Sequence, residues 1–231
     1  MTVDALKPLL DISTATIATL LFKRGIRNVA LRGPMPIDSG QGRIAGPAFT
    51  VRFVPVREDL ATPESLSSGT SMQQAIEAMP EGAIAVVDGR GVADAGVIGD
   101  IFAERMLRRG VAGLVTDAGA RDVAGILDGG LPVWCAAATP PLSIAGLTSV
   151  GRQEIIGCGG VAVVPDDVIV ADKDGAVVIP AAFVTEVIRD GAELERFEAW
   201  VLDKVREGAG LSGLYPATEE SKAAYAAEKE K

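Results

Sequence analysis

Three charged residues, Asp100, Arg121 and Asp122, have types and spacing suited to chemistry on a small anionic substrate. Asp100 opens a segment in which Ile101, Phe102, Met106 and Leu107 recur at helical spacing, so the acid is expected in the first turn of a helix. Gly110 stops that helix. Ala112 to Thr116 then reads as a short apolar strand, and the turn Asp117-Ala118-Gly119-Ala120 delivers Arg121 and Asp122 to the start of a helix running to about Leu127. Twenty residues separate Asp100 from Arg121, and each charge falls at a strand-helix junction. That pattern places acid, cation and acid at one edge of a sheet. An Arg-Asp pair at a helix start is commonly only a solvated pair that suits the helix dipole. The second acid at a neighbouring junction distinguishes this one. Before it, Gly96 and Gly99 permit close backbone approach, and the first-turn N–H groups of Gly99, Asp100, Ile101 and Phe102 suit a small carboxylate.

The elements that must carry these residues read as an α/β chain. Asp11 to Lys23 is a first helix ended by Gly25, and a strand follows near Asn28 to Leu31. Gly33 to Gly46 reads as a loop, Ala48 to Val56 as an alternating strand, and Arg57 to Thr70 as polar surface with helix-start character at Thr62 to Ser65. Ser71 to Met79 is a short helix. Ala83 to Asp88 is a buried strand, and Gly89 to Ala95 is the loop leading to the Asp100 helix. Pro132 to Ala136 is the next strand, ending in a Pro140-Pro141 turn. Strands alternating with helices imply parallel pairing. After Gly146 the pattern changes to strands without helices, at 154–157, 161–164, 168–171 and 176–179, which look like hairpins. Ala182 to Arg206 is a long charged helix, and Gly208 to Lys231 is expected to be a loosely held tail or a subunit contact. No fixed-period repeat and no linker divides residues 1–231, so one domain is expected.

Composition narrows the chemistry. A formal net charge of −9 argues against a nucleic-acid binder, which needs clustered Lys and Arg. The 48% hydrophobic content and mean hydropathy of +0.29 suit a large core. The amino end lacks a signal-peptide pattern and no stretch has the length of a membrane span, so a soluble cytoplasmic protein with no membrane partner is expected. Cys135 and Cys158 both lie in apolar surroundings and read as core thiols. The chain has no histidine, which removes imidazole bases, Ser-His or Cys-His pairs and the usual zinc sites. The glycine segments match neither a P-loop nor a complete dinucleotide fingerprint.

With these residues in place, the sequence resembles the RraA-like family, which includes class II 4-hydroxy-4-methyl-2-oxoglutarate aldolases, oxaloacetate decarboxylases and regulators of ribonuclease E. The segments carrying the resemblance are GRIAGPAFTV, VVDGRGVADAGVIGD, RRGVAGLVTDAGARD and VAVVPDDVIVADKDGAVVIP, between about Gly25 and Pro180. It implies a swivelling β/β/α domain with a C-terminal helix, assembled as a homotrimer or a dimer of trimers with sites between subunits. It also implies roles. Gly99, Asp100, Ile101 and Phe102 would bind the pyruvate-like end of a 2-keto acid, Arg121 would contact a substrate oxygen, and Asp122 would hold Mg²⁺ or Mn²⁺ partly through water. Asp100 would position the protonating water. An acid from a neighbouring subunit would join them, with Glu193, Glu195 and Glu198 as candidates. The namesake's role implies a second reading, a protein-binding regulator.

Elementary chemistry is consistent with those roles. Breaking a carbon–carbon bond beside a 2-keto group leaves an enolate, which needs a Lewis acid or a protonated imine. The lysines, Lys7, Lys23, Lys173, Lys204, Lys222, Lys229 and Lys231, sit in polar or terminal contexts unsuited to an imine. A hard divalent cation with carboxylate, water and keto-acid oxygens needs no histidine.

Overall fold

In the computed structural model, which describes residues 2–229, the organising strand is longer than its sequence pattern announces. Helix α1 (Val3–Leu6) continues as a 3-10 turn, and Ser13 then caps α2 (Thr14–Lys23) by accepting from the Thr16 N–H. Two short strands, β1 (Ala30–Leu31) and β2 (Met35–Pro36), precede β3 (Ile44–Pro55). The expected loop through Gly46 is therefore partly strand. Residues 44–47 are held extended by antiparallel pairing with Val168–Ala171, a distant partner that outweighs the local Gly-Pro signal. A 3-10 turn at Pro63–Ser67 bears out the helix-start character read there.

Next come α3 (Met72–Ala78), β4 (Ile84–Asp88), β5 (Gly96–Ile98) and α4 (Asp100–Arg108). They are followed by β6 (Gly113–Thr116), β7 (Gly119–Ala120), α5 (Val123–Gly129), β8 (Val133–Cys135) and β9 (Ala137–Ala138). Then β10 (Leu147–Arg152), β11 (Ile156–Cys158), β12 (Val161–Val163), β13 (Val168–Asp172) and β14 (Gly175–Ile179) lead to α6 (Val184–Arg206) and α7 (Glu219–Lys229). The main sheet has the order β1-β14-β13-β3-β4-β6-β8-β2, with β10 also on β3. Strands β3, β4, β6 and β8 are parallel, as the strand-helix alternation implied. β11-β12 and β13-β14 are the expected hairpins. β10 escapes sequence reading because its register shifts between Ser149 and Gly151, which breaks the alternation.

Three apolar clusters hold these layers. One joins β3, β4 and β6 to α3, α4 and α5. A second lies between the sheet and the β11-β12 hairpin, and a third packs α1, α2 and α6 on β13 and β14. In the second cluster Trp134 is fully buried, and its indole N–H donates to the Asp172 carbonyl at 2.7 Å. Asp172 in turn accepts from the Thr14 N–H and hydroxyl, so one strand end fixes α2. Trp134→Ala empties the middle of this layer and is expected to cost about 3–5 kcal/mol, read as a lowered urea midpoint at unchanged m-value.

The C-terminal stretch is a correction. Of the two expectations for this stretch, a loosely held tail or a subunit contact, the first fails over Glu219–Lys229, which form α7 with Tyr225 against Phe197 and Trp200 of α6 at ring separations of 5.4 and 5.8 Å. Trp200 also donates to Glu228 at 3.0 Å, and Lys229 pairs with Glu193 at 2.9 Å. Aromatic burial thus anchors a helix that its alanine and charge content alone would leave marginal. Glu230 and Lys231, the end of that stretch, lie outside the described residues. Among the described residues no single helix is long and apolar enough to cross a membrane.

Candidate functional site

The proposed site is assembled by a three-stranded sheet of small residues, β5-β7-β9, that sequence reading missed. Strands of two or three residues such as Gly119–Ala120 and Ala137–Ala138 carry no readable period. β5 and β7 run parallel, pairing Gly96 with Gly119 and Ile98 with Ala120. Their chain exits are therefore neighbours. Gly99-Asp100 leaves β5 directly beside Arg121-Asp122 leaving β7, and the Arg121 N–H donates to the Ile98 carbonyl at 2.9 Å. On the other side β9 pairs with β7 and brings Thr139 and Pro140 alongside.

A cavity of about 450 Å³ opens at this edge, with Arg121, Asp122, Val123, Thr139 and Pro140 among its walls. Arg121 Nε donates to Asp122 Oδ2 at 2.9 Å, and the two side chains are 31% and 42% exposed. Asp122 occupies the N-cap of α5 in the left-handed region, φ 52° and ψ 41°, without using its side chain as a cap. An Asp at this position ordinarily accepts from the second or third N–H of the helix. Here the carboxylate is turned to Arg121 instead. The helix expected from Arg121 starts at Val123, leaving both charged residues in the turn. A non-glycine residue with positive φ is uncommon, and such conformations concentrate at functional sites.

Glycines make room for the acids. A Cβ on Gly99 would lie 2.8 Å from Asp122 Oδ2, and one on Gly125 would lie 2.7 Å from both Cβ and Oδ2 of Asp100. Asp100 is the first residue of α4, as expected, and its Oδ1 accepts from the Ile101 N–H at 2.7 Å. That N–H, expected to face an anion, is thus engaged by the acid beside it. Asp100 packs toward Gly125 on α5 and is not a wall of the cavity. The apolar face of α4 also differs from its expected composition. Ala103 and Met106 are buried and Phe102 packs on the core, whereas Ile101 is 79% and Leu107 37% exposed. Ile101, two residues before Ala103, projects from the opposite side of the helix.

Gly99→Ala is expected to separate site from fold. At φ −135° the backbone accepts alanine, but the new methyl contacts the Asp122 carboxylate. Thermal stability should change by less than about 1 kcal/mol, while any Asp122-dependent ligand binding falls at least tenfold; calorimetry and a melt on the same sample check both.

The three C-terminal acids differ in what they already do. Glu193 accepts from Arg196 and Lys229, which hold its pKa at about 2. Glu195 accepts from the Ser13 N–H at 2.7 Å, at the start of α2. Glu198 is half-buried without such a bond, and burial, then the Glu195 charge, pushes its carboxyl up. Cys135 and Cys158 are buried free thiols whose pKa values are raised by burial, as core thiols should be.

Among the described residues there is no cluster of three or more metal-ligating side chains. Asp122 offers a hard, partly exposed carboxylate at the cavity. That donor set fits Mg²⁺ or Mn²⁺, which retain waters and commonly take one or two protein carboxylates. It does not suit a soft or fully protein-caged metal.

Comparison with known proteins agrees with this fold. Residues 11–178 match the family model RraA-like, described as Aldolase/RraA. Protein DlpA of Legionella pneumophila subsp. pneumophila is 28% identical over 211 residues, 90% of this chain and 32% of that one. A Halalkalibacterium halodurans protein named "Putative 4-hydroxy-4-methyl-2-oxoglutarate aldolase" is 32% identical over 139 residues, 60% of each chain. The chain therefore spans less than two thirds of the length of either relative. The crystal structure of Streptomyces coelicolor RraAS2, titled an unusual member of the RNase ES inhibitor RraA protein family, superposes with a TM-score of 0.77. It is 32% identical and covers 85% of this chain and 94% of its own. The mixed α/β architecture is accordingly the RraA fold, and the chain belongs to the RraA-like family.

Proposed function

We propose that the protein is a divalent-metal-dependent carbon–carbon lyase that releases pyruvate from a 2-keto acid, either 4-hydroxy-4-methyl-2-oxoglutarate or a similar aldol, or oxaloacetate. The observation that carries this reading is the pairing of Arg121 with Asp122 at the mouth of a cavity, beside Gly99 and Asp100. The relative named as an aldolase supports the same class.

In this reading Asp122 would hold Mg²⁺ or Mn²⁺, which would supply Lewis-acid stabilisation of negative charge developing on the substrate oxygen. Arg121 binds a substrate oxygen with its planar donor fork and counters the developing negative charge. Gly99, Ile101 and Phe102 shape the turn that receives the carboxylate end. Asp100 positions a water that returns a proton to the product carbon. Of the C-terminal acids, Glu198 is the one free to enter a neighbour's site, since Glu193 and Glu195 are engaged within their own chain. The exposed Ile101 beside Asp100 gives such a neighbour an apolar surface to cover in a homotrimer or dimer of trimers.

Calorimetric titration of the full chain tests the ligand requirement. Mn²⁺ and pyruvate are expected to bind, each more tightly with the other present; absence of binding by both removes the reading. The RNase ES inhibitor family named for the Streptomyces coelicolor structure favours a second reading, a non-catalytic protein-binding regulator. A stable complex with ribonuclease E, together with no binding of Mn²⁺ or pyruvate, would favour it.

A further inference from the structure

We propose that a second cavity, of about 470 Å³ and centred on Arg32 and Arg90, is a binding site for a small oxyanion carrying two negative charges. It does not depend on the lyase reading.

Buried Asp117 underlies this cavity. Its carboxylate accepts from the N–H groups of Gly89 at 2.7 Å, Gly91 at 3.0 Å and Gly159 at 3.0 Å. The negative charge is thereby used internally, to tie the β4 exit to the β11-β12 turn. Arg90 follows Gly89 with φ 61°, its N–H donating to Asp88 at 3.0 Å, and Gly91 has φ 71°. Arg90 is one of four non-glycine residues with positive φ among the described residues, and the Asp88 carboxylate holds it there.

Arg32 is fixed from the other side. Its N–H donates to the Gly159 carbonyl at 3.0 Å, and its Nη2 donates to Asn28 Oδ1 at 3.0 Å. Asn28 completes the clamp by donating to the Gly160 carbonyl at 2.7 Å. The guanidinium lies over Gly160, where any side chain would collide with it. Most other arginines of this acidic protein have a carboxylate partner. Among the described residues neither Arg32 nor Arg90 makes an ion pair. Arg32 and Arg90 line one glycine-walled cavity whose Asp117 carboxylate is already taken by three N–H groups, and two guanidinium forks without an ion pair suit a tetrahedral or dicarboxylate dianion. The formal net charge of −9 favours a small dianion over a polyanion such as nucleic acid.

The test is an NMR titration of the full-length, ¹⁵N-labelled protein with sodium sulfate replacing chloride at constant ionic strength. Saturable shifts are expected at the amides of Gly33, Gly91 and Gly160. Arg32→Ala and Arg90→Ala should each weaken binding about tenfold, the scale of one lost charge-assisted bond, and the double variant should show no saturation. Both side chains are exposed, so the variants should fold, which circular dichroism checks. Arg32→Lys retains charge without the fork and should fall between wild type and Arg32→Ala. Arg121→Ala should bind sulfate as wild type does. The proposal is overturned if wild type shows no saturation, if the double variant binds normally, or if Arg121→Ala alone abolishes the shifts.

Discussion

Asp122→Ala is expected to abolish metal-stimulated pyruvate release while leaving the fold intact. The side chain is 42% exposed, makes no cap bond to α5 and contacts Arg121 rather than the core, so its structural contribution is small. Its expected catalytic contribution is large, because a cation held there would lose its protein carboxylate and the described residues offer no cluster of three or more ligands in its place. Arg121→Ala should lower kcat by about 10²–10³, and Arg121→Lys should recover only part of the loss, since an ammonium cannot reproduce the planar fork. Circular dichroism and size-exclusion profiles matching wild type, with chelator-insensitive residual turnover, would complete the expected result. Undiminished, chelator-sensitive turnover in Asp122→Ala would remove that residue from the mechanism.

The largest expected stability effect outside the apolar core is at Asp117. It is 5% exposed and accepts from three backbone N–H groups on two separate segments. Removing the carboxylate leaves those donors without partners, so Asp117→Ala should cost about 3–5 kcal/mol, since each unsatisfied buried group carries a desolvation penalty. Asp117→Asn retains one acceptor oxygen but turns an amide donor toward other donors, so it should lie between the two. Equilibrium urea unfolding of the three proteins gives the order. A cost below 1 kcal/mol for the alanine variant would show that water replaces the carboxylate. The segment from Asp117 leads through β7 to Arg121, so protection of these amides from hydrogen exchange should fall together with stability.

The parallel strands were legible because apolar runs such as Ala83 to Asp88 and Ala112 to Thr116 are bounded by glycines and separated by helical periods. The hairpins after Glu154 were legible from their turn residues. What escaped was held by distant partners: the first residues of β3 by β13, α7 by the rings of α6, and the small β5-β7-β9 sheet by pairing among very short strands. The same division applies to the site. Spacing singled out Asp100, Arg121 and Asp122, but their adjacency comes from the β5-β7 register. Thr139 and Pro140 had no comparable signal, although the Pro140-Pro141 turn marked the place. The Arg32 and Arg90 cavity was likewise invisible, since the glycines that build it, Gly33, Gly91, Gly157, Gly159 and Gly160, come from three distant segments of chain.

The most direct measurement of the central claim is coupled detection of pyruvate from oxaloacetate and from 4-hydroxy-4-methyl-2-oxoglutarate, with Mg²⁺ and with chelator, against the spontaneous rate. The account predicts enzyme-dependent release from at least one of them that chelator removes and added Mg²⁺ restores. Release no faster than background on both, under conditions where the protein is folded and metal is present, would contradict it.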